Sequence, residues 1–282
     1  MTVWVEGATG KAGRRVVAAL TAAGVPVRAA SRHPGAARGP VTPVRFDWYD
    51  ETTWAPALGD AGTLFVKGLD SDDGAAALVA RFLAASQAGR VVLMSAAGVD
   101  RTPDHAPRRA VELAVQRSGK RWTVLRPNWF LQNFDEDEWV FAKALRETGE
   151  LYAGSGRAGF TDTRDLADAA AAVLTSPGHD GRGYTITGPA ALTFGEVARV
   201  LAETSGRPIR LRDVTPAEHR EHFAKSGRPE AWVDHMLHLF ELVRAGAFAA
   251  VTDDFRRLTG NEPRTLAAYA EEKWAPAAVS PR

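Results

Sequence analysis

The sequence contains no cysteine. Without thiols the chain has no disulfide, no thiolate nucleophile and no cysteine ligand for a metal ion. A composition without cysteine is typical of proteins in the reducing cytoplasm. We therefore expect a cytoplasmic location.

The chain also has almost no excess of one charge. Its 35 lysines and arginines nearly balance 34 aspartates and glutamates, which gives a net charge of +1. The two signs are interspersed, so we expect no nucleic-acid partner. No apolar run approaches the roughly 20 residues that a membrane-spanning helix needs, so we expect no membrane partner. The N-terminus leads directly into Val3-Trp4-Val5 and does not resemble a signal peptide.

Short β-rich runs alternate with helical segments in the first half of the chain, which predicts an α/β fold with a doubly wound parallel sheet. The predicted strands are Val3–Val5, Val25–Ala29, Val44–Phe46, Thr63–Val66, Arg90–Ser95 and Trp122–Leu125. The predicted helices are Lys11–Ala23, Thr52–Leu58, Asp73–Ser86 and Pro107–Ser118.

After Pro127 the pattern is less regular. The predicted helices there are Asp135–Thr148, Thr193–Ser205, Pro216–Ser226 and Glu230–Arg244. The predicted strands are Leu151-Tyr152, Tyr184–Thr187 and Ile209–Val214. We predict a sheet domain over residues 1–128, completed by parts of 160–190. We assign residues 129–282 mainly to a smaller C-terminal lid region that binds the substrate.

A glycine-rich segment with the spacing GxxGxxG follows the first predicted strand and opens the first helix. Glycines in this context allow a tight turn and let backbone N–H groups approach a pyrophosphate at the helix N-terminus. The segment therefore predicts a dinucleotide site rather than an ordinary turn. Its candidate cofactor-binding residues are Gly7, Thr9, Gly10, Lys11, Ala12 and Gly13.

The end of the second strand indicates which dinucleotide binds. An NAD-specific site usually has an acidic residue here for the ribose 2′-hydroxyl, but no acid occurs between Val25 and Val44. Ser31 and Arg32 instead offer a hydroxyl and a guanidinium group, which suit a 2′-phosphate. We predict NADPH as the cofactor. The alternative is that Arg32 is an ordinary surface residue.

Two further strand ends carry cofactor candidates. Asp47 either accepts a hydrogen bond from the adenine amino group or caps the next helix, and Trp48 covers the adenine ring. Lys67 and Gly68 follow the fourth strand, where the chain passes near the nicotinamide ribose. Lys67 either donates to that ribose or is a solvated loop residue.

Several motifs together resemble the NmrA-like branch of the atypical short-chain dehydrogenases/reductases. They are the glycine-rich turn, Phe46-Asp47, Met94-Ser95-Ala96-Ala97-Gly98, Leu125-Arg126-Pro127 and the segment Thr161–Ala167. The resemblance runs from the first residue to about Ala250, and it implies a Rossmann fold and NADPH-dependent reduction. Within this branch, the chain is similar to ketoreductases that tailor actinomycete aromatic polyketides. Phe46-Asp47-Trp48 followed by Trp54 also resembles the iminium reductases of ergot alkaloid pathways.

Members of the wider superfamily pair a serine after strand five with Tyr-x-x-x-Lys on the next helix. Ser95 matches the serine, but the segment Asp104–Ala110 has neither tyrosine nor lysine. The sequence Tyr269-Ala270-Glu271-Glu272-Lys273 has the right spacing. We do not assign it this role, because it lies near the C-terminus in a predicted surface helix.

Other titratable side chains are alternative proton donors. His105 is a candidate for the acid, or an exposed histidine on a loop between two prolines. Arg108 and Arg109 cannot supply a proton at physiological pH and are expected to face solvent. His235 and His238 lie on one helical face without an acid at metal-ligand spacing, so we predict no metal site.

The segment after strand six is expected to form the substrate pocket, with aromatic walls and a few polar groups that suit a bulky planar molecule. The alternative is that some of its aromatic residues, which include Phe134, pack in the core. The candidate substrate-binding residues are Asn128, Trp129, Phe130, Asn133, Tyr152, Trp232 and Met236.

These features predict an NADPH-dependent ketoreductase that acts on a bulky aromatic, polyketide-like substrate in secondary metabolism. Ser95 would polarise the carbonyl group, and a hydroxyl of the substrate next to the ketone would supply the proton. Two alternatives stay open. One is an NADP(H)-binding regulatory protein without turnover, and the other is a reductase of quinones or iminium ions.

Overall fold

A seven-stranded parallel sheet forms the centre of the fold in the computed structural model, which describes residues 1–69, 74–137 and 140–276. The strand order is β3-β2-β1-β4-β5-β6-β9, so the order reverses between β1 and β4, as in Rossmann folds. The sheet strands are β1 (Val3–Glu6), β2 (Val27–Ser31), β3 (Val41–Arg45), β4 (Thr63–Val66), β5 (Arg90–Met94), β6 (Arg121–Pro127) and β9 (Arg182–Ile186). Four short strands form two separate pairs, β7 (Glu150–Ala153) with β11 (Arg210–Asp213) and β8 (Arg157–Ala158) with β10 (Leu192–Thr193).

Helices cover both faces of the large sheet. A core that includes Trp54, Phe82 and Val111 lies between the sheet and the helices α2 to α4, and α1 packs against α6. The helices are α1 (Lys11–Ala22), α2 (Trp54–Leu58), α3 (Ala75–Ala85), α4 (Pro107–Gln116), α5 (Ala142–Thr148), α6 (Thr163–Thr175), α7 (Phe194–Ser205), α8 (Pro216–Ala224), α9 (Glu230–Arg244), α10 (Asp254–Thr259) and α11 (Leu266–Trp274).

The chain divides into two compact units. Unit 1 contains the described residues of 1–127, 163–186 and 253–261, and unit 2 those of 128–162, 187–252 and 262–276. Segment 253–261 was assigned to the lid region on sequence grounds, but it belongs to the sheet unit. The Asp254 carboxylate accepts a hydrogen bond from the backbone N–H of Thr185 in β9 at 2.8 Å, which attaches α10 to the sheet.

Several predicted elements differ from the structure at their ends, and the two largest differences lie after β6 and in β3. The helix predicted from Asp135 begins only at Ala142, because Asp135 accepts a hydrogen bond from the Tyr269 hydroxyl at 2.7 Å within a turn of unit 2. Strand β3 begins three residues earlier than predicted and contains Pro43. Proline is tolerated there because β3 is the edge strand of the sheet. The predicted start of α3 at Asp73 lies outside the described residues.

The described part of the chain contains no helix that is both long and apolar enough to span a membrane.

Candidate cofactor site and active site

The glycine-rich turn joins β1 to α1. Gly7 has a φ of +61°, in the left-handed region that glycine adopts without strain. The backbone N–H of Gly10 donates to the Gly7 carbonyl oxygen at 2.8 Å and closes the turn. A Cβ atom on Gly13 would lie 2.1 Å from that same carbonyl oxygen. Only glycine at this position therefore allows α1 to pack so closely against the turn.

Helix α1 presents its N-terminus at the end of this turn. Gly10 occupies the N-cap position, no side chain caps the helix, and its first turn carries no acidic residue. Such a helix end favours an anionic group such as a pyrophosphate. Thr9 and Gly10 are exposed and Lys11 is partly exposed, whereas Ala12 and Gly13 are buried and pack the helix onto the sheet.

The end of β2 carries the two residues predicted to bind the 2′-phosphate. Ser31 is buried, and its hydroxyl oxygen has no hydrogen-bond partner within the described residues. The adjacent Arg32 is exposed. A buried hydroxyl without a partner is rare in folded proteins, and a ligand oxygen beside it would supply the missing hydrogen bond.

The prediction for Trp48 is wrong. Its ring is buried and packs in a cluster with Phe46, Trp54 and Phe82, at centroid separations of 5.1, 6.4 and 5.0 Å. The indole is therefore part of the core and does not cover an adenine ring. Packing of Trp48 in the aromatic cluster is favoured over contact with a ligand, because burying several large rings together removes more apolar surface from water than one stacked ring would.

Asp47 is partly exposed, and its Oδ1 accepts a hydrogen bond from the backbone N–H of Tyr49 at 3.0 Å. The alternative interpretation, that Asp47 caps the next helix, is wrong. Thr53 occupies the N-cap of α2, and no side chain makes a capping hydrogen bond there. The contact between Asp47 and adenine stays a prediction.

A buried carboxylate that sequence reasoning missed lies directly before the glycine-rich turn. Glu6 Oε1 accepts from the indole N–H of Trp48 at 2.7 Å. Its Oε2 accepts from the backbone N–H groups of Lys67 at 2.8 Å and Gly68 at 3.0 Å. Burial raises the pKa of Glu6, although these hydrogen bonds and the charge of Lys67 partly oppose the shift. The signal in the sequence is an acidic residue that ends an apolar strand.

The turn after β4 is therefore held by the buried Glu6 carboxylate. The backbone N–H groups of Lys67 and Gly68 donate to Glu6, so they are not available to a cofactor. Gly68 has a φ of +76°, which explains why glycine occupies this turn. The Lys67 side chain is exposed, and its contact with a nicotinamide ribose stays a prediction.

Ser95 follows β5 and is 3% exposed. Its hydroxyl lies beside the Glu112 carboxylate of α4 and helps to lower the pKa of that group, but it makes no hydrogen bond of normal geometry. Because the hydroxyl oxygen is buried, a substrate carbonyl would reach it only if the neighbouring residues moved. The catalytic role of Ser95 stays a prediction.

Glu112 is the centre of a buried ion-pair network that sequence reasoning also missed. It accepts from Arg126 Nε at 2.9 Å and Nη2 at 2.7 Å, and from Arg109 Nη1 at 2.9 Å. Burial alone would raise the pKa of Glu112, but the hydrogen bonds from Arg126 and Arg109, the nearby Ser95 hydroxyl and the charge of Arg126 outweigh burial and lower it. The expectation that Arg109 faces solvent is wrong, because its guanidinium group is mostly buried against Glu112.

His105 lies exposed on the turn before α4, next to Asp104, whose carboxylate is 3.5 Å from Arg109 Nε. This position agrees with the interpretation of an exposed loop histidine. A role for His105 as proton donor stays a prediction.

In unit 2, Asn128 serves the protein structure. Its Nδ2 donates to the Phe248 carbonyl oxygen at 2.9 Å, and its Oδ1 accepts from the backbone N–H of Trp129 at 2.8 Å. Asn128 is also buried. The prediction that Asn128 binds substrate is therefore wrong, since both ends of its amide hold neighbouring backbone segments.

The aromatic residues after β6 divide between core and surface. Phe134 is fully buried and stacks on Phe141 at 5.0 Å, so it belongs to the core. Trp129 is partly exposed and lies 5.1 Å from the ring of Phe240. Phe130 and Asn133 are also partly exposed. Contacts of these three partly exposed residues with a substrate stay predictions.

The remaining substrate candidates also lie in unit 2. The Tyr152 ring stacks on His222 at 4.1 Å, and its hydroxyl donates to Glu150 at 2.6 Å. Trp232 is partly exposed. Met236 is 6% exposed on α9, so it packs in the interior of unit 2. A substrate would reach Met236 only if its neighbours moved, and the contact of Met236 with a substrate stays a prediction.

His219 on α8 is fully buried between Phe223 and Phe240, with ring centroids 4.5 and 4.1 Å away. Burial lowers the pKa of His219 to about 3. Its imidazole is therefore neutral at physiological pH, and it does not act as a proton donor at that pH. No group of three or more potential ligands among the described residues could hold a metal ion.

Residues 7–177 match a protein family described as NAD(P)H-binding. The chain belongs to this family. It is also 33% identical over 280 residues to an NAD(P)H azoreductase from Xenophilus azovorans, across 95% of this chain and 96% of that protein. The family is therefore one of oxidoreductases, in the NmrA-like group of atypical short-chain dehydrogenases/reductases.

Two solved structures share the fold. An NADPH-dependent quinone oxidoreductase from Escherichia coli, complexed with NADPH, has a TM-score of 0.82 and 23% identity, across 96% of this chain and 99% of that one. The triphenylmethane reductase of Citrobacter sp., complexed with NADP(H), has a TM-score of 0.80 and 22% identity, across 97% of this chain and 100% of that one.

The residues of unit 1 fit the nicotinamide cofactor of this NAD(P)H-binding family. Gly13 lies too close to the Gly7 carbonyl group for any side chain, the N-terminus of α1 has no side-chain cap, and the Ser31 hydroxyl has no hydrogen-bond partner in the part of the chain that the structure describes. Gly7, Gly10 and the N-terminus of α1 would hold the pyrophosphate. Ser31 and Arg32 lie at the end of β2, where the adenosine ribose is bound in Rossmann folds.

This chain departs from the wider superfamily at the proton donor. Helix α4 contains neither tyrosine nor lysine, and the residue of this helix beside Ser95 is Glu112, which binds Arg109. Tyr269 lies in unit 2, where it is fully buried and donates to Asp135. Burial and the neighbouring Asp135 raise the pKa of Tyr269. Such a phenol does not serve as the acid, although its helix has a buried face and is not the surface helix expected from the sequence.

Proposed function

We propose that this protein is an NADPH-dependent reductase of planar, conjugated acceptors that need no proton from an acidic side chain. The network around Glu112 carries this proposal. Glu112 is held as a carboxylate by Arg126 and Arg109, and neither arginine releases a proton at physiological pH. The side chains beside Ser95 therefore stabilise one another and offer no acid.

The chemistry of the acceptor follows from this lack of an acid. A reduced nicotinamide supplies a hydride when it is bound. Hydride addition to a simple ketone leaves a strongly basic alkoxide, which needs a proton donor. Addition to an iminium ion gives a neutral amine, and addition to a quinone gives a weakly basic hydroquinone anion that water protonates. Acceptors of these kinds suit a site without an enzymatic acid.

The similar proteins support this class of acceptor. Their names refer to an azo group, a quinone and a triphenylmethane dye, all of which are extended conjugated systems. Hydride addition to an azo group leaves a basic nitrogen anion, so an azo substrate would also take a proton from water. An aromatic ketone with an adjacent hydroxyl, as in many polyketides, belongs to the same class. Its phenol can transfer a proton to the new alkoxide, so a ketoreductase of such substrates needs no tyrosine.

Cofactor preference is tested by Arg32→Ala. A charge-assisted hydrogen bond to the 2′-phosphate contributes about 1–3 kcal/mol, so NADPH binding should weaken by roughly 10- to 100-fold while NADH binding hardly changes. The measurement is the dissociation constant of each cofactor, from the fluorescence of the reduced nicotinamide. Arg117→Ala is the control, since Arg117 is exposed at the C-terminal end of α4. Equal losses for both cofactors would exclude this role of Arg32.

The reaction class is tested by following NADPH oxidation with a matched set of acceptors. The set contains a quinone, an azo dye, a cyclic iminium ion, an aromatic ketone with an adjacent phenol and the methyl ether of that phenol. We expect turnover with several members of the set, and loss of ketone reduction when the phenol is methylated.

Two outcomes would contradict this proposal. Tight NADPH binding without oxidation of NADPH by any acceptor would indicate a regulatory protein. Reduction of the methyl ether by the wild-type protein, with loss of that activity in His105→Ala, would show that the enzyme supplies the acid.

A further inference from the structure

The buried Glu6 carboxylate connects three segments at the carboxyl ends of the sheet strands. It ends β1 and directly precedes Gly7 of the glycine-rich turn. One of its oxygens binds Trp48, which follows β3, and the other binds the Lys67-Gly68 turn, which follows β4. In Rossmann folds the cofactor crosses the sheet where the strand order reverses, which here is between β1 and β4.

All three partners of Glu6 are N–H donors. The indole nitrogen of Trp48 and the backbone nitrogens of Lys67 and Gly68 donate, and none of these atoms can accept a hydrogen bond. Only a carboxylate satisfies all three at once, since it accepts at both oxygens. A glutamine here would direct its own N–H groups at another donor. The arrangement therefore selects glutamate over its nearest isostere.

We propose that Glu6 is a positioning residue for the cofactor, which holds the Lys67-Gly68 turn in register with the glycine-rich turn. Without this carboxylate, the backbone N–H groups of Lys67 and Gly68 lose the hydrogen bonds that tie their turn to β1. The turn would then leave the position that the nicotinamide half of the cofactor requires. The inference rests on cofactor binding, which the family establishes, and not on the proposed class of acceptor.

The test uses two substitutions: Glu6→Gln creates a conflict between two N–H donors, and Trp48→Phe then relieves it. Glu6→Gln should weaken NADPH binding about tenfold or more, because one buried N–H is left facing another. Trp48→Phe removes the indole donor and should weaken binding only a few-fold. In Glu6→Gln/Trp48→Phe, the glutamine oxygen accepts from Lys67 and Gly68 while its nitrogen faces an aromatic ring. The double variant should therefore bind NADPH more tightly than Glu6→Gln.

Trp54→Phe is the matched control. Trp54 belongs to the same aromatic cluster and is also buried, but its indole N–H donates to the Asp47 carbonyl oxygen at 3.1 Å rather than to Glu6. Adding Trp54→Phe to Glu6→Gln should therefore restore no affinity. This comparison separates loss of the specific donor from a general effect of a smaller ring.

The dissociation constant of NADPH, read from the fluorescence of its nicotinamide, is measured well below the unfolding midpoint of each variant. Wild-type affinity in Glu6→Gln, even with a lowered midpoint, would overturn the proposal and leave Glu6 with a purely structural role. Failure of Trp48→Phe to rescue Glu6→Gln would also overturn it. If Glu6→Gln does not fold, the proposal requires the double variant to fold and to bind NADPH. Because binding is measured without an acceptor, neither result depends on the reaction class.

Discussion

Replacing Gly13 with alanine is expected to reduce NADPH affinity on the order of 100-fold and to lower stability by about 1–3 kcal/mol. The new Cβ atom would lie 2.1 Å from the carbonyl oxygen and 2.6 Å from the carbonyl carbon of Gly7. Both are backbone atoms, so the clash is relieved only if α1 moves away from the turn. That movement would displace the helix N-terminus and the glycine-rich turn, which we predict to hold the pyrophosphate. The measurements are the NADPH dissociation constant and the thermal unfolding midpoint.

Two glycine variants calibrate this result. At Gly10 a Cβ atom would lie 3.3 Å from the same carbonyl oxygen, so Gly10→Ala should cause a much smaller loss of affinity. At Gly35 a Cβ atom meets nothing within 4 Å, so Gly35→Ala should behave as wild type. A Gly13→Ala protein with wild-type affinity would show that the turn does not bind the pyrophosphate.

Replacing Arg126 with methionine is expected to lower the free energy of unfolding by about 3–5 kcal/mol, the usual cost of leaving one partner of a buried ion pair unpaired. Glu112 is fully buried and receives two hydrogen bonds from Arg126, so Arg109 would be its main remaining counter-charge. In Glu112→Met/Arg126→Met both of these charges are gone, but the mostly buried Arg109 keeps only Asp104 as a partner, so part of the loss should be recovered. Urea-induced unfolding measures these differences.

The exposed pair Arg199 and Glu203 on α7 provides the control. Arg199 Nη1 lies 2.9 Å from Glu203 Oε2, about as close as the atoms of the buried pair, but both side chains are more than half exposed. Arg199→Met should therefore change stability by less than about 1 kcal/mol. A loss of similar size for both arginine variants would mean that burial of Glu112 does not set the cost.

The cofactor half of the fold was predicted well because its signals are local. The GxxGxxG spacing requires particular backbone angles and a close helix-strand approach, and these depend on residues adjacent in sequence, as at Gly7 and Gly13. The prediction of a Rossmann-type parallel sheet is confirmed by the strand order and by the family match. A cytoplasmic location, the choice of NADPH over NADH, and the absence of nucleic-acid or membrane partners stay predictions.

The wrong site predictions arose where one local sequence pattern suits both a ligand-binding residue and a core residue. Trp48 and Asn128 both follow a strand and both suit a ligand site by residue type. Whether an indole covers a ligand or fills the core depends on Phe46 and Phe82, and the fate of the Asn128 amide depends on Phe248, 120 residues away. No local pattern contains that information.

The sequence by itself determined the fold class, the position of the cofactor turn and the absence of a tyrosine-lysine pair in α4. Only the tertiary structure decided which charged groups are buried together. Glu6 meets Trp48 and the turn after β4 because parallel strands bring distant segments to one edge of a sheet. Glu112 and Arg126 pair because α4 packs on β6. A charge in an apolar interior must find its partner, and that partner is set by packing in three dimensions rather than by spacing along the chain.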